Sequence, residues 1–195
     1  MRLALVLLLA YVAGSINFAI ILLRLLGKED PRTKFSGNAG TTNVFRQAGK
    51  GWAAVVLLLD AGRAVGLAAL AQCLLPASLV PWVGTALVAG NRFPCFHRFR
   101  GGKGVASFLG FTILISPWGT ALSCLAWVAV YGIVRIPFIA SFCMVLILGG
   151  ATVWSGEPRM ASIAGTAATL LLIFLSHWKN IAALLAERRS RTGSP

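Results

Sequence analysis

Seven apolar stretches, separated by short polar ones, follow one another along the 195-residue chain. The two longest exceed the roughly 20 predominantly apolar residues that a membrane-crossing helix needs. The first begins like a secretory signal peptide but continues well beyond any cleavage point, so we expect it to remain as a helix. The pattern predicts an all-α integral membrane protein with about seven transmembrane helices. The stretches are 3–26, 51–75, 82–90, 104–115, 118–134, 138–154 and 160–177.

The composition agrees with a membrane protein. Hydrophobic residues make up 57% of the chain and charged residues 12%, whereas a soluble domain carries about 25% charged residues. No polar stretch is long enough to form a separate soluble domain. We therefore expect a single membrane domain over residues 1–180 and a basic cytoplasmic tail over residues 181–195, disordered at its end.

The basic residues are distributed unevenly over the predicted loops. Of 18 lysines and arginines, 15 fall on one side and only Arg2 and Arg159 on the other, with Arg63 inside a span. Cytoplasmic loops are rich in lysine and arginine, so the N-terminus is predicted outside and the C-terminus in the cytoplasm. A net charge of +13 would suggest nucleic-acid binding in a soluble protein. Here topology accounts for it, and we predict no nucleic-acid partner.

The most polar stretch, residues 36–46, lies between the first two apolar runs. Its two glycines permit tight turns that let several backbone N–H groups point one way. Short hydroxyl and amide side chains add donors and acceptors, and an arginine closes the stretch with a planar cation. This combination predicts a phosphate site. The side chains concerned are Ser36, Asn38, Thr41, Thr42, Asn43 and Arg46.

A second loop on the same predicted side, Gly101-Gly102-Lys103-Gly104, has similar chemistry. It resembles part of a P-loop, but the full G-x-x-x-x-G-K-[ST] sequence is absent, so ATP hydrolysis is disfavoured. Alone, the tetrapeptide is more often a basic loop beside a membrane helix. Together with residues 36–46 it favours an anion site made of glycine N–H groups, the lysine and the start of the next helix.

Further polar residues lie at or within the spans. His177 and Asn180 are three residues apart at the predicted cytoplasmic end of the last run. They either belong to a site or, as a histidine at this position commonly does, only contact the membrane interface. Asp60 and Arg63 are the only charges deep within a span. They share a helix face, so they either form a buried ion pair or face a site.

Nothing in the sequence predicts a metal or a cofactor. The four cysteines show neither C-x-x-C spacing nor a neighbouring histidine pair, which disfavours both zinc and disulfides. The chain has only five aspartates and glutamates, which disfavours a mechanism based on paired carboxylates. The cysteines are Cys73, Cys95, Cys124 and Cys143.

These motifs resemble those of the bacterial membrane acyltransferases that use acyl phosphate to acylate glycerol 3-phosphate, the PlsY family. The resemblance covers nearly the whole chain, and its most specific motif is the stretch 36–46. The family's fold is a seven-helix membrane bundle, in agreement with the count of apolar runs. The other matching motifs are Gly14-Ser15-Ile16, Phe93-Pro94 with residues 101–106, and His177 with Asn180-Ile181 and Leu184-Leu185.

The resemblance implies transfer of a fatty acyl group from a long-chain acyl phosphate to the 1-hydroxyl of glycerol 3-phosphate. The products, lysophosphatidic acid and phosphate, would form at the cytoplasmic side of the cell inner membrane, among membrane lipids. The expected catalytic residues are Ser36, Arg46, Lys103, His177 and Asn180. The expected substrate-binding residues are Asn38, Thr41, Thr42, Asn43, Gly101, Gly102, Gly104 and, because the family places a serine near the substrate, Ser141.

Acyl phosphate is already activated, so the enzyme must mainly align two anions that repel each other. Arg46, Lys103 and the glycine N–H groups would offset that repulsion. Ser36 and Asn43 would donate to the developing oxyanion. The proton of the hydroxyl would go to His177 or to the substrate's own phosphate.

Several positions depart from the family pattern. The change at Asn91 bears on activity, and the changed C-terminal motif bears on the stability of the site. The alternative to an active enzyme is a catalytically weakened homologue that binds membrane lipids or anions, or transports them. The departures are Asn17 for proline, Phe35 for glycine, Arg63 for lysine, Asn91 for histidine, Phe138 for a small polar residue and Arg189 for glutamate.

Overall fold

The computed structural model describes residues 1–192 and the side chains of residues 1–190. Every regular element in this part of the chain is helical, as the all-α prediction requires. The α-helices are α1 (Arg2–Ser15), α2 (Phe18–Leu25), α3 (Thr41–Ala48), α4 (Lys50–Leu74), α5 (Val80–Arg92), α6 (Val105–Ile115), α7 (Pro117–Val134), α8 (Pro137–Ser155), α9 (Met160–Ser176) and α10 (Trp178–Thr192). Short 3-10 turns form at Ala77–Leu79 and Cys95–His97.

Four segments of the described chain are long and apolar enough to cross a membrane by themselves, and α9 with α10, bent by 48°, would make a fifth. Helices α5 and α6 have 13 and 11 residues. At 1.5 Å per residue they are shorter than the roughly 30 Å hydrocarbon core. The count of seven crossings and the orientation therefore stay predictions. The four segments are Arg2–Leu25, Lys50–Leu74, Pro117–Val134 and Pro137–Ser155.

The first apolar run is broken near its middle, between Ser15 and Phe18. The side-chain oxygen of Asn17 accepts a hydrogen bond from the Ile20 N–H at 3.0 Å and caps α2. The carbonyl groups freed at the end of α1 accept from the guanidinium of Arg63. The run is still one candidate span, Arg2–Leu25. The prediction that it forms an unbroken helix is wrong, because the break depends on one capping residue and on a distant partner.

The short helix α5 lies at the centre of the bundle, in contact with α1, α4, α6 and α9. Glycines let α1 and α5 cross closely. A Cβ on Gly90 would lie 2.1 Å from the Tyr11 carbonyl oxygen, and one on Gly14 would lie 2.3 Å from the Leu87 carbonyl oxygen. This crossing fixes the end of α5, from which the second polar loop, residues 93–104, begins.

Two segments predicted as irregular are helical. Residues 41–48 of the first polar loop, the polar segment 27–50 between the first two apolar runs, form α3. This helix buries Val44 in an apolar cluster with side chains of α2 and α4. The tail continues as α10 to Thr192. The predicted disorder is therefore wrong as far as residue 192, and residues 193–195 lie outside the described part of the chain. Through Val44, the helix α3 attaches the polar stretch 36–46 to α2 and α4.

Candidate active site

A cavity of about 560 Å³ opens where the two polar loops meet the ends of α7 and α9. Its apolar wall comes from the spans, including Leu57, Leu109, Val128 and Met144. This combination suits a ligand with an ionic head and a hydrocarbon part. No three histidine, cysteine, aspartate or glutamate side chains of the described residues lie together as metal ligands would. The predicted site residues in the wall are Asn38, Thr41, Thr42, Lys103, Gly104, Ser141 and His177.

Asn43 holds the first polar loop closed. Its side-chain nitrogen donates to the carbonyl oxygens of Pro31 (2.9 Å) and Lys34 (3.1 Å), and its oxygen accepts the Ser36 hydroxyl (3.1 Å). Asn43 is fully buried. The structure therefore does not show Ser36 and Asn43 as oxyanion donors, because the hydrogens of both are used within the loop.

The helix α3 begins in the cavity wall. Its N-cap, Gly40, has no capping side chain, and the first N–H groups of any helix have no acceptor within it. Thr41 and Thr42 line the cavity, as does Asn38. The Thr41 hydroxyl oxygen is buried without a hydrogen-bond partner among the described residues. An anion in the cavity would satisfy the free backbone N–H groups at the start of α3, whereas the Thr41 hydroxyl oxygen is sealed from the cavity by protein atoms.

The glycines of the second loop turn back onto the end of α5. The Gly101 N–H donates to the Arg92 carbonyl (3.2 Å), the Gly102 N–H to the Asn91 carbonyl (2.9 Å) and the Gly104 N–H to the Asn91 side-chain oxygen (3.0 Å). These three N–H groups therefore do not form the phosphate cradle predicted from the sequence. Gly104, with φ +80°, instead starts α6 at the cavity wall, where the free N–H groups of the first helical turn begin.

Lys103 reaches the cavity from between these glycines. Its Nζ donates to the Asn180 side-chain oxygen at 2.7 Å, which joins the second loop to the start of α10. Burial, and to a lesser extent the positive charges of Arg46 and Arg92, lowers the pKa of Lys103 to about 8. An anion in the cavity would relieve this repulsion, so the charge distribution favours an anionic ligand.

Arg46 lies outside the cavity wall, on the last turn of α3. Its guanidinium sits over the ring of Phe35, 5.6 Å from the ring centroid. Its charge nevertheless acts on Lys103. Arg46 thus contributes to the positive field at the polar end of the cavity.

His177 lies at the bend between α9 and α10, 2% exposed, in the cavity wall and within electrostatic range of Lys103. Its Nδ1 is 2.8 Å from the Ile173 carbonyl oxygen. Because a carbonyl only accepts, Nδ1 carries the hydrogen, and Nε2 of the neutral ring keeps a lone pair. The Phe142 ring packs against the imidazole with centroids 5.0 Å apart. The ring is therefore held in the tautomer that a general base at Nε2 needs.

The wall contributed by α7 and α8 is partly aromatic. The Ser141 hydroxyl donates to the Pro137 carbonyl (3.0 Å) and accepts from the Trp127 ring nitrogen (3.3 Å). Trp127 stacks on Tyr131 with ring centroids 5.1 Å apart, and both line the cavity. No sequence signal distinguished these two residues from the other aromatic residues of the spans.

Asp60 and Arg63 form a buried ion pair of 2.8 Å, with each side chain 9% exposed. Asp60 also lines the cavity, so both interpretations of this pair hold. Arg63 donates in addition to the Ser107 hydroxyl on the first turn of α6 (3.1 Å) and to the Ala13 carbonyl (2.9 Å). The pair therefore links α4 to the end of α1 and to the start of α6.

A contact that sequence reasoning missed joins the two polar loops. Arg32 donates to the backbone carbonyls of His97 (2.8 Å) and Arg100 (3.2 Å) while its guanidinium binds Asp30. Hydrogen bonding to Arg32 lowers the pKa of Asp30. Among so many basic residues, no sequence signal distinguished this one. These hydrogen bonds of Arg32 fix the position of the second loop relative to the first.

The sequence matches the family model described as glycerol-3-phosphate acyltransferase over residues 4–187. The curated glycerol-3-phosphate acyltransferase of Methylobacillus flagellatus is 38% identical over 177 residues, which is 90% of each chain. That of Bordetella pertussis is 37% identical over 196 residues, covering 95% of this chain and 89% of the relative. The sequence similarity thus extends over nearly the whole chain.

Solved structures share the fold. The crystal structure of PlsY (YgiH), an integral membrane glycerol 3-phosphate acyltransferase, in its glycerol 3-phosphate form gives a TM-score of 0.88 at 29% identity. The match covers 96% of this chain and 94% of that one. The lysophosphatidic acid form gives a TM-score of 0.86 at 28% identity. The fold is that of an integral membrane protein.

Proposed function

The chain belongs to the glycerol-3-phosphate acyltransferase family, and we propose that it transfers a fatty acyl group from a long-chain acyl phosphate to the 1-hydroxyl of glycerol 3-phosphate. The products are lysophosphatidic acid and phosphate. One observation carries the proposal. The N-terminal ends of α3 and α6 and the Lys103 ammonium meet in one cavity, whose remaining wall is mostly apolar.

The size and chemistry of the cavity support acyl phosphate as the donor. Both substrates then carry a phosphate, and the polar end offers two helix N-termini and a lysine to hold them. A volume of about 560 Å³ lies in the range that encloses one drug-sized ligand. A coenzyme A thioester would add a nucleotide to the acyl chain, so the volume favours the smaller donor.

The proposed reaction is a direct displacement. The 1-hydroxyl oxygen of glycerol 3-phosphate attacks the acyl carbonyl carbon, and the bond from that carbon to the phosphate oxygen breaks. The hydroxyl proton passes to Nε2 of His177 and then to the leaving phosphate, or directly to that phosphate. Lys103 and the helix N-termini offset the repulsion between the two anions, which is the main work with an activated donor.

The remaining polar residues position these groups. Asn43 and Ser36 set the shape of the first loop, and hence the direction of the α3 N-terminus. Asn180 holds Lys103. Arg46 adds positive charge at the polar end. Gly102 leaves the space in which the second loop packs on α5.

We also place the site at the cytoplasmic side of the cell inner membrane. The loops that form the polar end belong to the set that carries 15 of the 18 lysines and arginines, and such loops remain in the cytoplasm. Glycerol 3-phosphate would enter from the cytoplasm. The acyl chain would lie along the apolar wall and enter from the bilayer.

The test is an assay of the purified protein with glycerol 3-phosphate and either palmitoyl phosphate or palmitoyl coenzyme A. We expect release of phosphate and formation of lysophosphatidic acid with palmitoyl phosphate alone. Ser36→Ala and Arg46→Ala should each lower kcat/KM by about tenfold or more. Arg24→Ala is the matched control, because Arg24 is an exposed cation at the end of α2, outside the cavity wall.

Full-rate turnover by both site variants would contradict the site. Turnover with palmitoyl coenzyme A and none with palmitoyl phosphate would contradict the donor. Binding of glycerol 3-phosphate without turnover from either donor would favour the alternative, a membrane anion-binding protein.

A further inference from the structure

We infer that Asn91 is a further substrate-binding residue, whose side-chain amide donates a hydrogen bond to a phosphate oxygen in the cavity. The inference rests on the proposed function, which supplies the phosphate. Asn91 lies in the last turn of α5, 4% exposed, and lines the cavity. A buried amide needs partners for its oxygen and for its nitrogen.

The orientation of the amide follows from its contact with the second loop. The Gly104 N–H lies 3.0 Å from the Asn91 side-chain oxygen. An N–H group only donates, so the oxygen must face Gly104 and the NH₂ group must take the other arm of the amide. No acceptor among the described residues bonds to that NH₂ group, and protein atoms do not seal it off from the cavity.

The second loop holds this amide in place. The Gly102 N–H donates to the Asn91 backbone carbonyl at 2.9 Å. A Cβ on Gly102 would lie 2.6 Å from the Asn91 side-chain oxygen, and one on Gly101 would lie 2.1 Å from the Asn91 carbonyl oxygen. Rotation of the amide would break its hydrogen bond to the Gly104 N–H, and the closely packed glycines leave little space for it. The donor is therefore preorganised for a ligand.

The surroundings select an anion as the acceptor. Asn91 shares the cavity wall with Gly40 and Thr41 at the start of α3, and with Lys103 and Gly104 at the start of α6. Both helix N-termini carry partial positive charge. Another cation would add to the repulsion already acting on Lys103, whereas a neutral amide donates without adding charge. Asn91 thus completes a phosphate site between the two helices.

The experiment uses the purified full-length protein and a variant that loses the NH₂ donor of Asn91 but keeps its acceptor oxygen. Asn91→Asp keeps an oxygen for the Gly104 N–H but replaces the donor by a carboxylate oxygen. We measure the Kd of inorganic phosphate, the KM of glycerol 3-phosphate and of palmitoyl phosphate, and the midpoint of thermal unfolding. The Kd and at least one KM should rise by about tenfold or more in protein that is still folded at the assay temperature. The substrate whose KM rises identifies the phosphate bound.

Asn17→Asp is the matched control. The Asn17 amide is also buried, but its nitrogen donates to the Ala39 carbonyl at 3.2 Å. Loss of that bond should lower the unfolding midpoint. If Asn91→Asp does not give folded protein, the smaller neutral variant Asn91→Ser replaces it with the same expected loss of affinity.

A phosphate Kd and both KM values within about twofold of wild type in the folded Asn91 variant would overturn the inference and leave the proposed function standing. Failure of the wild-type protein to bind phosphate and to turn over either donor would overturn the proposed function and the inference with it.

Discussion

Replacing Arg63 by methionine should destabilise the protein by about 3–5 kcal/mol, the cost of removing one partner of a buried ion pair. Arg63 and Asp60 are 2.8 Å apart and each is 9% exposed, so Asp60 would be left buried without the partner that compensates its charge. The same change removes the donors to the Ala13 carbonyl and the Ser107 hydroxyl. An unsatisfied buried polar group costs about 1–3 kcal/mol, so the figure for the pair is a lower bound.

Thermal unfolding of the purified protein measures this effect. For a chain of this size, about 1 kcal/mol corresponds to roughly 2–4 °C, so the midpoint should fall by about 10 °C. Adding Asp60→Asn to Arg63→Met should recover more than about half of the loss, because neither charge then remains buried. Arg159→Met is the control, because the ion pair of Arg159 with Glu157 has side chains 71% and 47% exposed and should contribute about 0–1 kcal/mol.

Two results would refute this reasoning. One is an Arg63→Met midpoint within about 2 °C of wild type. The other is a double variant no more stable than the single one, which would show that the charge of Asp60 is not the source of the cost. The Arg63 variant should also lose activity in its folded fraction, because the Ser107 contact holds the start of α6 beside the cavity.

Three further predictions concern the polar loops. The value of kcat/KM should fall as pH rises through about 8, because Lys103 loses its positive charge there. The substrate phosphate has a second pKa of about 6, so its own titration does not account for a fall near pH 8. Lys103→Arg should move that fall to higher pH, and an unchanged profile would contradict the assignment. Gly102→Ala should lower kcat/KM by about tenfold or more, because the added Cβ would lie 2.8 Å or less from two oxygen atoms. Gly132→Ala is its control and should match wild type, because a Cβ there would have no atom within 4 Å. Arg32→Gln should raise the KM of glycerol 3-phosphate, because it removes the hydrogen bonds that hold the second loop. Lys34→Gln, at an exposed lysine, should leave that KM unchanged. Equal effects of the two variants would show that the Arg32 contacts do not matter for binding.

Local composition determined the class of the protein. Apolar run length and the count of basic residues are properties of neighbouring residues, and a bilayer responds to them directly. The glycines, the hydroxyl side chains and Lys103 were noticeable because they interrupt such runs without helping to bury a core. Local sequence was therefore sufficient to select the two polar loops and the end of α9 as candidate chemistry. It was not sufficient to divide the first run into α1 and α2, or to find α3 within a loop.

Only the tertiary structure decided which donors remain available to a ligand. The Gly101, Gly102 and Gly104 N–H groups have the right chemistry for phosphate, but they donate to the end of α5. The Ser36 hydroxyl is likewise used by Asn43. A hydrogen bond occupies a donor once its partner lies within about 3 Å, and the partners here come from other segments of the chain. Sequence determines which groups can bind an anion, and packing determines which of them still have a free hydrogen facing the cavity.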